Sequence, residues 1–475
     1  MLEGLEAVEL KLSEVLKDNE EFRIDSEYFK KEFIILDKYF KNAPQLKDLV
    51  YMSDLSTNGS FKTVSDIIHD DFKKVIPFIR SGNVGETFIN KNDLIFISKE
   101  AHEKLLKSAT KLHDIVMARK GKIGGATIIM EEDVDFNCNE NVIKLNINDK
   151  NKLNPFYFTS FFNSKYGLMQ INRTSTGNVQ PWVSIFQIRK LAIPILSNTF
   201  QFQIETLVRT AYDKLKESKT LYKEAEELLL EELDLKDYQP SDKSIAIKSF
   251  SQSFGATGRL DSEYYQPKYD EILEKIKSYK GGDCKLNELV IDYSTGYPYK
   301  SNSFVENGVY LIRINNLTKD GLNLENAVKI PYKDKNLSSK DIIKINDILI
   351  SMSGTIGLSC KVNENIEAVL NQRILKISIK NYSYDVLSLL INSIIGKLQI
   401  ERIGTGGVQT NISAKDILKL LIPLIQDSIQ TQIEQKIKDS FKLKKESKEL
   451  LDLAVKAVEI AIEKDENKAM EFLDE

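Results

Sequence analysis

Between residues 200 and 233, apolar side chains fall at Ile204, Val208, Ala211, Leu215, Tyr222, Ala225 and Leu229, with Ser218 the one polar interruption. Lys and Glu fill the other positions. Steps of four and three predict a long helix with a narrow apolar seam, and such a seam asks for a partner helix. Ile433, Ile437, Phe441, Leu451, Ala454, Val458 and Ala461 set out a looser stripe of similar length. The two can satisfy each other as an antiparallel pair; the alternative is that each stripe packs on its own globule. Ahead of each seam, about 110 residues of short Val, Ile, Phe and Tyr runs punctuated by Gly, Asn and Asp predict irregular strands and turns.

The resemblance between the halves extends to single residues. Shifted by 229, the segments 174–196 and 403–425 match at ten of 23 positions, including the strings TGNVQP and TGGVQT. Gln203-Ile204-Glu205 meets Gln432-Ile433-Glu434, and KESK occurs at both 216–219 and 445–448. Upstream, DIVMARKGKIGG at 114–125 meets DILISMSGTIGL at 347–358, VIPFIRSGNV meets GVYLIRINNL, and FRIDSEYF at 22–29 meets GRLDSEYY at 258–265. The chain is a tandem duplication. Each half runs from an Arg-x-Asp-Ser-Glu-Tyr box through a short amphipathic helix (Tyr28 to Phe40; Tyr264 to Ile276) and the strand-rich region to the Gly-x-Val-Gln segment and the long helix. Pro194 and Pro423 end one element before the coil begins. The predicted class is α+β: two similar globular domains joined by two long antiparallel coiled-coil helices, with internal pseudo-twofold symmetry. The expected parts are 1–199, the first long helix 200–235, a Ser-rich linker 236–258, the second domain 259–427 and the second long helix 428–475.

Composition narrows the chemistry. The chain has 475 residues and a formal net charge of −4, so a nucleic-acid surface has to be a local concentration of Lys and Arg. Cys138, Cys284 and Cys360 and three scattered histidines build neither a zinc site nor a disulfide framework. There is no signal-peptide pattern or membrane-length apolar run, so a reduced cytoplasm is expected.

Two motifs suggest catalysis and do not carry it. RKGKIGG at 119–125 and MSGTIG at 352–357 follow apolar strands but lack the phosphate-loop spacing. They predict strand-turn-strand corners with Gly121, Gly124, Gly354 and Gly357 at positive φ. NPFY at 154–157 approaches an adenine-methyltransferase loop, yet one Pro is missing and no cofactor loop lies upstream. Asn154 is read instead as a helix N-cap with Pro155 in the first turn. No catalytic, cofactor-binding or metal-ligating residue is assigned.

The doubled order of Asp-Ser-Glu-Tyr box, strand-rich region with Gly-x-Ile-Gly, Gly-x-x-Gln-Pro segment, Ile-Pro and heptad helix resembles the DNA specificity subunit of type I restriction-modification systems. TGGVQT departs from that pattern at Thr410. The resemblance implies a DNA-binding, non-enzymatic restriction-system component with two target recognition domains, recognising a bipartite, asymmetric site on double-stranded DNA. Its coil would serve as spacer and docking surface for two methyltransferase (modification) subunits, which would carry S-adenosylmethionine and the DNA methylation chemistry. A separate motor-nuclease subunit would join for cleavage. A helix from Phe200 to Leu233 would be about 50 Å long, which would let both readers meet one face of the duplex. A recognition subunit of a related type II system and a coiled-coil scaffold that binds only protein are the alternatives.

Base reading needs Arg or Lys toward guanine and Asn or Gln toward adenine. The candidates are Arg80, Arg119, Lys120, Lys122, Arg173, Asn178 and Gln180 in the first half. In the second half they are Arg313, Asn315, Asn316, Arg373, Lys397, Arg402 and Gln409. Arg80 and Arg313 stand out because each ends a strand at the same place in its copy. Trp182 is expected to pack.

Overall fold

A computed structural model describes residues 8–16, 23–121, 123–177, 180–243, 245–325, 327–404 and 411–474. The chain divides into two compact units, one of Met1–Leu215 with Lys444–Glu475 and the other of Lys216–Leu443. The C-terminal segment therefore belongs to the first unit, and each long helix contributes to both.

The first unit contains strands β1 (Val50–Ser53), β2 (Lys74–Ile79), β3 (Ile95–Ser98), β4 (Ile115–Ala118), β5 (Thr127–Ile128), β6 (Asn137–Cys138) and β7 (Val142–Ile147). They form an antiparallel sheet in the order β1-β7-β4-β5 and a second sheet β3-β2-β6, in which β2 and β6 run parallel. The second unit begins with β8 (Asp283–Lys285), β9 (Val290–Ser294), β10 (Val309–Ile312), β11 (Leu317–Thr318), β12 (Gly321–Leu322) and β13 (Val328–Ile330). It continues with β14 (Ile348–Ser351), β15 (Ser359–Lys361), β16 (Ala368–Leu370), β17 (Ile374–Ile379) and β18 (Leu421–Pro423). Its sheets, β9-β17-β14-β15 and β13-β10-β16, repeat both orders of the first unit, parallel pair included. The fold is α+β, and the duplication read from the sequence is a duplication of topology.

Residues that recur in the sequence recur as joints. Lys144 on β7 and Lys376 on β17 are buried, 3.8 and 3.7 Å from Asp114 and Asp347 respectively. Their ammonium groups also donate to the carbonyls of Ala109 and Ile342. Burial pushes the Asp114 carboxyl up and the Lys144 ammonium down, so desolvation outweighs attraction at this pair. Asn154 caps the helix Pro155–Asn163 as expected, accepting from Phe156 N at 2.8 Å. Ser383 takes the same place before Tyr384–Asn392. Gln201 Oε1 accepts from Asn154 N and Gln430 Oε1 from Ser383 N, while Glu205 and Glu434 receive the two cap side chains. These bonds tie each cap to its long helix, which explains why Gln-x-x-x-Glu is repeated. Asn163 grips Ala126 through both backbone groups, and Asn392 grips Ser359 in the same way.

The long helices are Asn198–Glu232 and Asp427–Glu463. In the first unit Ser197 bonds Glu466, Ser447 Oγ donates to Ala211 O at 2.7 Å, and Lys214 pairs with Glu446 at 2.6 Å. In the second, Ser440 Oγ donates to Ser218 O at 2.8 Å and Lys436 pairs with Glu224 at 2.6 Å. Partners descend on one helix as they ascend on the other, so the pairing is antiparallel within each unit. The seam residues Ile204, Val208, Ala211, Ala225 and Leu229 are buried, and so are Ile433, Ile437, Ala454 and Val458. Ser218, Ser440 and Ser447 are buried as well. Their hydroxyls bond the facing helix, so the polar break in the seam is a close crossing, not a flaw.

The predicted amphipathic helices begin about three residues later than expected, at Lys31 and Pro267. The described residues of the segment, 236–243 and 245–258, form a loop with one helical turn, Phe254–Thr257. Ser241 N bonds Glu271, and Lys248 pairs with Asp270 at 2.6 Å.

Candidate nucleic-acid interface

Arg80 directly follows strand β2 and Arg313 directly follows β10, and each opens a tight turn held by an asparagine three residues on. Arg80 N donates to Asn83 Oδ1 and Arg313 N to Asn316 Oδ1, both at 2.9 Å. Asn83 Nδ2 then donates to Asn90 O, and Asn316 Nδ2 to Asn323 O, both at 3.0 Å. Asn316 is buried, so its amide serves the turn and not a base edge. Asn315 beside it is exposed. Arg80 Nη2 donates to Asp93 O at 2.5 Å, and Arg313 lies over the Phe304 ring at 5.9 Å. In both arginines Nε is buried without a hydrogen-bond partner among the described residues.

The described ends of the Gly-x-Val-Gln segment, Gly177 and Gln180, lie beside this turn. Thr176 and Trp182 exchange backbone bonds of 2.9 and 2.8 Å, closing the loop, and Val183 N then bonds Arg119 O at the end of β4. Gly177 sits at φ +97°, and a β-carbon there would meet Gln180 O at 2.6 Å, so the turn requires glycine. The neighbouring corners carry the positive φ expected of Gly121, Gly124, Gly354 and Gly357. A β-carbon on Gly121 would lie 3.8 Å from Gln180 Nε2 and 4.0 Å from Ser81 Oγ. The Arg80 turn, the Lys120 corner and Gln180 therefore form one loop cluster, in which Lys120 and Gln180 are exposed. In the second unit Ile412 N bonds Met352 O at 3.0 Å, the same dock.

Arg119 lies in this cluster, yet its guanidinium bonds buried Asp54 at 2.7 Å and lies 5.9 Å from the half-exposed Trp182 ring. The second unit has Met352 and Thr295 at the positions of Arg119 and Asp54. Its arginine is Arg373, just before β17 and bonded through its carbonyl to Met352 N, where the first unit has Asn141. Arg373 is exposed at φ +72°, and Nη1 donates to Asn411 Oδ1 at 3.2 Å. Arg313, Asn315, Gly354, Thr355, Asn371 and Arg373 line one cleft of about 580 Å³. Asn371 and Thr355 were not singled out in the sequence, where nothing distinguishes them from other polar loop residues.

Two of the candidates belong to the scaffold. Arg173 bonds Asp37 at 2.5 Å and the carbonyls of Tyr28 and Phe33, while Arg402 lies 3.1 Å from Asp270. Arg23 and Arg173 sit 4.9 and 4.6 Å from the Tyr28 ring centroid, and Arg259 and Arg402 sit 4.4 and 4.5 Å from that of Tyr264. Each Asp-Ser-Glu-Tyr box is thus stapled by a tyrosine stacked with two arginines. Bonds from Arg23 and Arg259 hold Asp25 and Asp261 below the usual carboxylate range. Lys397 is exposed on the helix Ile394–Ile403 and does not line the cleft. Lys122, Asn178 and Gln409 lie outside the described residues.

Cys138 and Cys360 are buried, and burial pushes both thiols up to about 12. Among the described residues no His, Cys, Asp and Glu group is placed to hold a metal ion, and no helix is long and apolar enough to cross a membrane.

No protein-family model matches the chain, and no curated protein matches it. Among solved structures it is similar to the type I restriction-modification S subunit from M. genitalium, at 14% identity over 88% of this chain and 94% of that one, with a TM-score of 0.40. It is also similar to the HsdS subunit from Thermoanaerobacter tengcongensis, at 13% identity over 89% of this chain and 96% of that one, TM-score 0.28. A chain from a study of type I R-M complex assembly aligns at 13% identity over 90% of this chain and 99% of that one, TM-score 0.28.

Proposed function

We propose that this chain is a non-catalytic DNA specificity subunit of a restriction-modification system, each unit reading one half of a bipartite, asymmetric site. The reading assigns S-adenosylmethionine binding and methyl transfer to two partner methyltransferase subunits, and translocation and cleavage to a motor-nuclease subunit. One observation carries it: two units of identical sheet order each expose a loop cluster at the same strand ends, and the side chains of the two clusters differ. Identical frames with different exposed Arg, Lys, Asn and Gln groups suit two readers of unlike sequences. A single enzyme active site would not need the frame twice.

The test is duplex binding by the full chain assembled with its modification subunits, across a salt series. With six to ten phosphate contacts, affinity falls by about a thousandfold or more between 50 and 200 mM salt. A protein-binding scaffold predicts no DNA affinity at any salt concentration in that series.

A further inference from the structure

We infer that Arg373 is a base-reading residue of the second unit, directed at a guanine of its half-site. The inference rests on the proposed DNA-recognition function. Four observations point to it. Arg373 is the exposed cation of the cleft, and no carboxylate pairs with it among the described residues. Its backbone is held at φ +72°, a conformation that costs a non-glycine residue free energy and collects at ligand-contacting sites. The fold enforces that conformation: Met352 N donates to Arg373 O at 2.9 Å, and one residue away Gln372 N donates to Tyr297 O at 3.1 Å. Gly296 permits that approach, since a β-carbon on it would meet Asn371 O at 2.0 Å.

The second point is what else faces the cleft. Arg313 Nε and Asn371 Oδ1 are both buried and without a hydrogen-bond partner among the described residues. A buried donor and a buried acceptor beside one cleft are thus polar groups that the described residues leave unsatisfied. The edge of a base pair in the major groove presents acceptors and donors side by side.

The third is the exchange between copies. Arg119 and its carboxylate Asp54 occur together in the first unit, and both are replaced, by Met352 and Thr295, in the second. The arginine appears instead across the strand pair at 373, with Asn411 as its neighbour in place of an acid. The Arg119 charge is neutralised by a buried carboxylate, whereas the Arg373 guanidinium meets the neutral amide oxygen of Asn411. The fourth is chemical: the planar fork of arginine meets guanine O6 and N7 with two fixed, parallel bonds, a geometry the point-like ammonium of lysine matches less closely.

The experiment is methylation-site sequencing of a host genome carrying the full chain and its modification subunits. It is followed by binding to duplexes in which each base pair of the site found is changed in turn. Arg373→Gly, which suits the backbone, is compared with Arg373→Lys. In the wild type one G·C pair in one half-site is required by about ten- to a hundredfold. Arg373→Gly loses that preference and Arg373→Lys weakens it, leaving the remaining positions and the other half-site unchanged. Two results overturn the inference: an unchanged motif in Arg373→Gly, or a uniform loss over all duplexes. The second is the mark of a phosphate contact. If the wild-type complex neither binds duplexes nor methylates a bipartite site, the underlying reading falls with it.

Discussion

The ends of strands β4 and β14 hold the same place in their units and carry different chemistry. At the first, Arg119 is locked to Asp54, and Asn141 stands opposite. At the second, Met352 and Thr295 replace the pair, and the opposing residue is the exposed Arg373. The first unit adds helices Phe61–Ile68 and Lys99–Lys104, where the second adds the β11–β12 hairpin and the 3-10 run Tyr332–Asp341. The buried joints do the reverse and repeat: Lys144 with Asp114 as Lys376 with Asp347, Asn154 with Glu205 as Ser383 with Glu434, and Tyr28 as Tyr264 between two arginines. Sameness is concentrated where a change would leave a buried group unsatisfied. Difference is concentrated where side chains face solvent, which is the division a two-reader protein needs.

The comparison is tested most severely at the buried ion pairs. Lys144→Met and Lys376→Met should each cost about 3–5 kcal/mol, because each strands a carboxylate in the core. Adding Asp114→Leu to Lys144→Met should restore most of that loss. Urea denaturation reads both effects, and a free substitution in one copy would end the equivalence of the joints. Next in size are the stacked tyrosines: Tyr28→Leu and Tyr264→Leu should each lower stability by about 1–2 kcal/mol through lost cation–π contact. Near-equal shifts in melting temperature are expected, and a shift in one alone would show that the two staples do different work. Ser447→Ala should cost about 1 kcal/mol in the coil by removing the bond to Ala211 O. Ser440→Ala should match it within error.

The smallest effect is with pH. Asp25 and Asp261 have carboxyls held low in the fold by Arg23 and Arg259. Their contribution is therefore present above the usual carboxylate range and lost as pH falls below about 4 through the depressed values. Melting temperatures of wild type and the Asp25→Asn, Asp261→Asn double variant should differ at neutral pH and converge in acid. Divergence in acid would reverse the sign and refute the assignment.

Much of the frame was legible because repetition and period are properties of sequence. The seam from Ile204 to Leu229, the glycine corners and the Asn154 cap follow from spacing and local backbone chemistry. The polar gap at Ser218 could be seen but not explained, since its partner Ser440 lies 222 residues away. Arginines were the hardest to sort. Arg173 and Arg402 read like base contacts until Tyr28 and Tyr264 are seen beside them, and no local pattern reveals that neighbour. Nor does spacing reveal that Arg373 sits at positive φ, because that is imposed by strands brought together from elsewhere in the chain.

The central claim is that each unit reads its own half-site. Replacing residues 41 to 165 with those of a relative of different specificity, then sequencing the methylated sites of a host that also carries the modification subunits, tests it directly. One half of the recognised site should change while the other half keeps its sequence. A site whose two halves change together, or not at all, would contradict the account.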